Sequence, residues 1–193
     1  MRYLLWLYCG SVLAIVLCCT ADGQEAKKYL GRTAQEWIKI VKDKDSPHRM
    51  DGVEAMVGVG TSMAKEVGAE DIVAALTSAL SDQRDIVRAR AARGLGSFQR
   101  DAKSAVPALI QVIKDSSAAA KDGDADKKES EAFVRVHIIQ TLGDIGPPAK
   151  AAVKILVEAL KDSDRTVRKS AGEALKKIDP EAAKGAGVGG DQK

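Results

Sequence analysis

The chain has 193 residues and a formal net charge of +3, and 45% of its residues are hydrophobic and 30% are charged. Its 30 basic and 27 acidic residues are so evenly balanced that charge alone indicates no nucleic-acid partner. Aromatic residues make up only 4%, which disfavours a β-sandwich and favours thin, closely packed helices.

The first 21 residues have the pattern of a secretory signal. Arg2 supplies a positive charge, and an uncharged, mostly apolar run extends to Thr20. Small residues stand at Cys19 and Ala21, the −3 and −1 positions of a cleavage site after Ala21. We therefore expect an exported, periplasmic or secreted protein with no membrane span after cleavage.

Two alternatives to cleavage stay open. The segment could be retained as an anchor, although its apolar run is slightly short of the roughly 20 residues that a spanning helix needs. It could also be lipidated at Cys18 or Cys19. Cys9, Cys18 and Cys19 are the three cysteines of the chain, and all lie in this segment. A cleaved chain would therefore carry no thiol and no disulfide.

Residues 22–32 are expected to form a linker, and residues 33–180 contain four similar segments. In each segment apolar residues recur at i, i+3 and i+7, which is the stripe of an amphipathic helix. An aspartate follows the stripe by two residues, then comes an arginine, and a small residue beside a bulky one follows the arginine. The stripes are Ala34, Trp37, Val41; Val73, Leu76, Leu80; Val106, Leu109, Ile113; and Val153, Leu156, Leu160; the aspartates are Asp43, Asp82, Asp115 and Asp162; the arginines are Arg49, Arg88, Arg135 and Arg168; the pairs are Ala55-Met56, Gly94-Leu95, Thr141-Leu142 and Ala174-Leu175.

This spacing predicts an all-α fold, an α-solenoid of about four antiparallel helix pairs that bury their stripes against one another. The repeats are placed at about residues 33–60, 70–100, 104–146 and 151–179. The third repeat is longer, and we interpret residues 116–131 as a solvated insertion of low order. Residues 181–193, which include KGAGVGG, are expected to form a flexible tail.

The strings LSDQRDIVRARAARGLG and LKDSDRTVRKSAGEAL, with the weaker VKDKDSPHRMDGVEAM and VRVHIIQTLGDIG, resemble the HEAT repeat family. The likeness is to its short bacterial repeats of the phycobilin-lyase type. It covers roughly residues 33–180. It implies a solenoid of paired antiparallel helices in an exported bacterial HEAT repeat protein, and it carries over no site residue of a lyase.

The recurring arginines have a structural interpretation. Arg88 lies at one edge of the apolar stripe of its helix, where it can bridge to an aspartate or to turn carbonyls and tie one repeat to the next. The same role is expected of the other repeated arginines and aspartates, and the aspartates can also cap the second helices. A ligand contact by Arg88 is the alternative.

The positions two and five residues after each arginine are expected to be exposed on the concave face lined by the second helices. They are Asp51, Glu54, Arg90, Arg93, His137, Gln140, Ser170 and Glu173. This face runs acidic, basic, neutral and mixed along the stack, which suits a protein or peptide partner better than nucleic acid. Arg90 and Arg93 do not recur in the other repeats, so they are the best candidates for partner contacts.

No catalytic, cofactor-binding or metal-binding residue is predicted. His48 and His137 are the two histidines of the chain, and neither is followed by Glu. We interpret His48 as a turn or capping residue and His137 as a residue on a helix flank. The sequence contains neither a GxxxxGK[ST] phosphate loop nor a GxSxG elbow.

The insertion contains one string that resembles a calcium loop. Asp122, Asp124 and Asp126 alternate as such a loop requires. However, Lys127 stands at the sixth position, which needs Gly, and Phe133 stands at the twelfth, which needs Glu. The string thus departs from the calcium-loop pattern at two positions, and a calcium-tuned module that works through residues 116–131 is the third hypothesis.

The sequence favours a non-enzymatic protein–protein interaction scaffold of the bacterial envelope, with no cofactor and a partner of unknown identity. The alternative is an accessory to an enzyme, or a lyase-like cofactor-binding protein. That alternative predicts a deep pocket lined by Phe98, Phe133 and titratable groups.

Overall fold

The structure is a computed structural model that describes residues 27–188. Within this range a short antiparallel hairpin is followed by α-helices, which are joined by tight turns and by two 3₁₀ segments. The strands are β1 Lys28–Tyr29 and β2 Arg32–Thr33; the helices are α1 Ala34–Lys42, α2 Arg49–Val67, α3 Ala69–Ala79, α4 Asp85–Gly96, α5 Val106–Asp122, α6 Ala125–Ile145, α7 Val153–Ala159, α8 Arg165–Ile178 and α9 Pro180–Gly185; the 3₁₀ segments are Gln99–Ala105 and Pro147–Ala152. The predicted signal at residues 1–21 lies outside the described range.

The helices form two layers. The second helices of the repeats, α2, α4, α6 and α8, lie side by side, and each contacts the next. The first helices, α1, α3, α5 and α7, pack against their own second helices, and the two 3₁₀ segments lead into α5 and α7. This arrangement confirms the predicted all-α solenoid of about four helix pairs.

The predicted apolar stripes form the contact between the two layers. All their members are buried except Val153 and Leu160, which are half-buried. The four small–bulky pairs of the second helices are buried as well. Burying one Val, Leu or Ile side chain contributes about 1.5–3 kcal/mol, so these stripes supply the main attraction between the layers.

Small residues let the second helices approach one another closely. A Cβ added to Gly143 of α6 would lie 3.1 Å from the Cα of Ala174 on α8. Between α6 and α4, Thr141 Oγ1 donates a hydrogen bond of 2.8 Å to the carbonyl of Ala92. The second-helix layer is therefore held by close backbone approach and by at least one buried hydrogen bond between repeats.

Local signals set several helix starts. Thr33 and Glu36 form a capping box before α1, in which each side chain accepts a hydrogen bond from the backbone N–H of the other residue. Asp164 caps α8, because its side chain accepts hydrogen bonds from the backbone N–H groups of Thr166 and Val167. Pro107 stands in the first turn of α5, where its missing N–H has no cost.

The prediction of a linker at residues 22–32 is wrong for the part that the structure describes. The strands β1 and β2 form a hairpin whose Tyr29 is only 7% exposed. The Tyr29 hydroxyl donates to Glu66 Oε1 at 2.7 Å, and the Trp37 indole N–H donates to the carbonyl of Tyr29 at 2.7 Å. The hairpin therefore docks on α1 and α2, because its aromatic residue has polar partners on one side and apolar packing on the other.

The prediction of a flexible tail at residues 181–193 is also wrong at its start. Pro180 begins the short helix α9, and Asp179 caps it by accepting from the backbone N–H of Ala182 at 3.1 Å. Ala183 is 1% exposed. A proline at the first position and an aspartate before it are helix-start signals, so the proline that ends α8 also starts α9.

The insertion at residues 116–131 is ordered helix, which corrects the expectation of low order. α5 continues to Asp122 and α6 begins at Ala125. The added segment of α5, SSAAAKD, is rich in alanine and contains neither glycine nor proline before Gly123, so nothing in it stops the helix. Asp124 caps α6 by accepting from the backbone N–H of Lys127 at 2.9 Å. The aspartates of this string thus lie at a helix–helix turn rather than in a 12-residue cation loop.

Candidate functional site

The arginine of the first repeat is enclosed at the junction with the second repeat. The Arg49 side chain is 2% exposed. Its Nη1 donates to Asp82 Oδ2 at 2.8 Å, its Nη2 to the carbonyl of Ser78 at 2.7 Å, and its Nε to the carbonyl of Val41 at 2.8 Å. One guanidinium therefore joins α1, α2 and the end of α3, as predicted for a bridge between repeats.

The arginine of the third repeat makes the same bridge to the fourth. Arg135 Nη2 donates to Asp162 Oδ1 at 3.1 Å, and its Nη1 donates to Ser116 Oγ at 3.3 Å. Its Nε lies 2.9 Å from Asp162 Oδ2, but the N–H is not directed at that oxygen, so this second contact is ionic. The Arg135 side chain is 3% exposed.

The junction between the second and third repeats does not use the predicted aspartate. Asp115 is exposed on α5, where its carboxylate accepts from Gln111 Nε2 at 2.8 Å. Arg88 Nη2 donates instead to Glu131 Oε1 at 3.0 Å, and Lys127 Nζ lies 2.8 Å from the same oxygen. Because α5 runs straight through the place where the other repeats turn, Asp115 stays on the helix surface, and the insertion supplies Glu131 in its place.

Other hydrogen bonds of the repeated arginines and aspartates lie within a single turn. Arg168 Nη1 donates to the carbonyls of Asp162 and Ser163 at 2.7 and 2.8 Å. Arg88 Nη1 makes the equivalent contact with the carbonyl of Asp82 at 3.0 Å. Asp43 is exposed, and its Oδ1 accepts a hydrogen bond of 3.0 Å from the backbone N–H of Asp45.

The aspartates shape the turns rather than capping the second helices. Asp82 Oδ1 accepts from the backbone N–H of Arg84 at 2.9 Å, and Asp162 Oδ1 accepts from that of Asp164 at 2.9 Å. Each is an Asx turn, in which the carboxylate binds the backbone two residues ahead. The expected capping role belongs to Asp164 in the fourth repeat.

The carboxylates of Asp82 and Glu131, at the first and second junctions of the stack, remain ionised at neutral pH. Burial acts to raise the pKa of Asp82, but the hydrogen bonds from Arg84 and the charges of Arg84 and Arg49 outweigh it, so the pKa lies below its ordinary value. Burial likewise acts to raise the pKa of Glu131, and the hydrogen bond from Lys127 and the charge of Arg88 outweigh it. The ion pairs therefore stabilise the stack at neutral pH and lose this contribution as pH falls through the lowered pKa values.

The predicted partner-binding residues form one exposed surface, with one exception. Asp51 and Glu54 lie on α2, Arg90 and Arg93 on α4, His137 and Gln140 on α6, and Glu173 on α8; we call these seven the second-helix face. They are exposed or half-buried. Ser170, predicted to be exposed, is only 5% exposed. Its short side chain stays inside the groove between α6 and α8, whereas longer side chains at the equivalent positions reach solvent.

Charges on the second-helix face are arranged unevenly. Arg90 Nη1 lies 3.2 Å from Glu54 Oε1, so α4 and α2 are paired across the face. Among residues 27–188, Arg93 has no carboxylate within 4.0 Å. Burial lowers the pKa of His137, and the charges of Arg93 and Arg90 lower it further. The centre of the face therefore carries the Arg93 cation beside a histidine that is neutral at pH 7.

The pairing of Ile86 with Phe133 on this surface was not predicted from the sequence, which placed Phe133 beside Phe98 instead. Ile86 on α4 is 39% exposed and Phe133 on α6 is 43% exposed, and both line one open cavity of about 450 Å³. The ring of Phe133 lies 4.4 Å from that of His137, centroid to centroid. Ile86 and Phe133 each stand two residues before the repeat arginine, so comparing that position across the repeats would have revealed them.

The pocket expected for a lyase-like protein is not formed by Phe98 and Phe133. Phe98 is 7% exposed and packs beside Gly60 on α2, away from the cavity that Phe133 lines. In the range that the structure describes, no three His, Cys, Asp or Glu side chains are grouped to hold a metal ion. No helix in that range is long and apolar enough to cross a membrane.

The comparison with family models agrees with the geometry of the described repeats. A family model of HEAT repeats matches residues 72–122 and 127–185, together more than half of the chain. Among solved structures, an engineered protein from the Northeast Structural Genomics Consortium aligns at 19% identity and a TM-score of 0.48, over 80% of this chain and 68% of the other. No curated protein matches the chain. The family match begins inside α3, so the pair of α1 and α2 is assigned as a repeat from its packing and from the Arg49 bridge.

Proposed function

Because the chain belongs to the HEAT repeat family, whose repeats generally mediate protein–protein interactions, we propose that it is a non-enzymatic scaffold that binds a protein partner through the second-helix face. HEAT repeat folds are typically non-catalytic. The observation that carries the proposal is the continuous exposed surface of α2, α4, α6 and α8, on which charged side chains of both signs stand on a tightly joined layer of helices.

The stiffness of that layer supports a binding role. Arg49 and Arg135 are enclosed at two of the junctions, and Arg88 pairs with a carboxylate that is 4% exposed at the third. A preorganised surface loses little conformational entropy on association, so a modest contact area gives useful affinity. The buried ion pairs thus hold the spacing of the partner-contacting side chains from one repeat to the next.

We further propose that the protein acts in the bacterial envelope. Support comes from the amino-terminal sequence alone, where a basic residue, an apolar run and small residues at Cys19 and Ala21 precede the repeats. Mass spectrometry of the protein recovered from periplasmic and membrane fractions tests this. A mature amino terminus at Asp22 supports export with cleavage after Ala21, and recovery of the intact chain from the cytoplasm contradicts it.

A crosslinking pull-down tests the binding proposal. The tagged full chain is crosslinked in its own envelope fraction, beside the variant Arg90→Glu/Arg93→Glu. The matched control is Arg100→Glu/Lys103→Glu, which reverses two exposed charges in the 3₁₀ segment before α5. We expect one abundant partner that is retained by the control and lost by the first variant. Equal recovery by both variants would exclude the second-helix face as the binding site.

A further inference from the structure

The exposed apolar pair on the second-helix side lies inside a ring of carboxylates. Ile86 and Phe133 line their cavity together with Asp85, Asp126 and Glu129. We call these five residues the apolar–acidic patch. The pair is brought together from two repeats, because Ile86 opens α4 and Phe133 lies on the part of α6 that follows the insertion. Scattered surface apolar residues need no explanation, but adjacent ones with a charged rim are typical of binding sites.

The carboxylates of the patch are not neutralised by the protein itself. Within residues 27–188, no Lys, Arg or His nitrogen lies within 4.0 Å of Asp85, Asp126 or Glu129. Asp85 Oδ1 accepts only from the backbone N–H of Ile86, at 2.7 Å. Asp85 and Asp126 stand in the first turns of α4 and α6, where the helix dipole stabilises negative charge. The chain therefore tolerates three unpaired anions around an apolar surface.

The patch is continuous with the second-helix face. Ile86 precedes Arg90 by one helical turn, which is about 6 Å along α4. Phe133 precedes His137 by one turn of α6, and their rings are in contact. A partner that binds across α4 and α6 at Arg90 and His137 therefore reaches the patch with two further residues of extended chain, at roughly 3.3 Å each.

We infer that the apolar–acidic patch binds a partner segment in which a basic residue, arginine or lysine, stands beside an apolar one. This rests on the proposed scaffold function and names the chemistry of the partner. The apolar side chain would cover Ile86 and Phe133, and the cation would pair with the surrounding carboxylates and lie over the Phe133 ring. Phosphate-bearing surfaces, either nucleic acid or anionic lipid, are repelled by the same three carboxylates.

Short synthetic peptides test the inference directly. The probe is acetyl-GSGLRRGSG, and its two controls replace LRR by LEE, which reverses the charge, or by SRR, which removes the apolar residue. Each is titrated into the ¹⁵N-labelled full chain, and binding is mapped from amide shifts. We expect LRR to bind with shifts centred on Ile86 and Phe133, SRR to bind several-fold more weakly, and LEE to cause no shifts.

Two matched double variants test whether the LRR peptide binds the carboxylates of the patch or any exposed carboxylates of the chain. Asp126→Asn/Glu129→Gln removes two carboxylates of the patch, and Glu70→Gln/Asp71→Asn removes two exposed carboxylates from the first turn of α3. We expect the first pair to weaken LRR binding about tenfold and the second to leave it unchanged. Phe133→Ala, at a side chain that is 43% exposed, should weaken it similarly without loss of helicity.

Three outcomes would overturn the inference: no shifts with LRR, equal affinity for SRR, or unchanged affinity in Asp126→Asn/Glu129→Gln. Its failure is distinguishable from failure of the scaffold proposal. A partner captured by the full chain, lost with Arg90→Glu/Arg93→Glu but retained by Asp126→Asn/Glu129→Gln, leaves the scaffold standing and refutes the patch.

Discussion

Replacing Arg49 by methionine should be among the most damaging single changes to the stack. The guanidinium is 2% exposed and donates to one carboxylate and to two backbone carbonyls. Methionine keeps most of the side-chain length and apolar stem, so the cost arises from the lost charge and donors. Removing one partner of a buried ion pair costs about 3–5 kcal/mol. Asp82 retains Arg84, which limits the loss, so we expect about 3 kcal/mol.

Arg168→Met is the matched control for this prediction. Arg168 occupies the same repeat position, but it donates only to carbonyls of its own turn and is half-buried. Its loss should cost about 1 kcal/mol. Urea unfolding followed by circular dichroism at 222 nm gives both free energies of unfolding. Hydrogen exchange then shows whether α1 and α2 open before the rest, as expected when only one junction of a repeat array is weakened.

The reasoning is refuted if Arg49→Met costs no more than Arg168→Met. A double-mutant cycle with Asp82→Asn gives a second check. Two residues joined by a buried ion pair should show a coupling free energy of about 1 kcal/mol or more. Additive effects of Arg49→Met and Asp82→Asn would mean that the junction is held by apolar packing and that the ion pair is incidental.

Two further predictions concern glycines and pH. Gly58→Ala should stabilise the chain by about 0.5–1 kcal/mol, because a Cβ at this position of α2 meets nothing within 4 Å. Gly143→Ala should destabilise it by about 1–3 kcal/mol, because a Cβ there meets the backbone of α8. Equal melting temperatures for the two variants would contradict this prediction. Because burial and the charges of Arg93 and Arg90 hold the pKa of His137 below its ordinary 6.5, the unfolded chain binds a proton before the folded one, so stability should fall as pH drops through about 6.5 towards the folded pKa. His137→Gln should flatten that slope in thermal melts between pH 7.5 and 5, and an unchanged slope would contradict the assignment.

The helix pairs were predictable because their signals are local and repeated. Each stripe marks one face of a helix, and four copies in the same register indicate one stacked core. The bridges of Arg49 and Arg135 followed from the same alignment. The sequence therefore predicted the features that recur from repeat to repeat, namely the buried stripes and the arginine bridges.

The third repeat shows where this reasoning fails. Alignment assigned Asp115 to the bridge, but whether that aspartate reaches the turn depends on whether the helix stops, and the alanines after it keep α5 going. Glu131, the residue that takes the role, is 43 positions from Arg88 in sequence and lies in a segment without a repeat equivalent. Its contact depends on tertiary geometry that no single-sequence pattern encodes.

The contact between Glu131 and Arg88 also bears on how such a protein changes over generations. Lengthening the turn in one repeat removes the aspartate from the junction, and Arg88, whose side chain is 13% exposed, would then keep only the carbonyls of its own turn as partners. Here the added segment brings a substitute anion to the same guanidinium. We therefore expect the added segment and Glu131 to be retained or lost together. We expect loss of Glu131 alone to weaken this junction, whereas deletion of the whole segment would let Asp115 take the place that Asp82 and Asp162 hold in the other repeats.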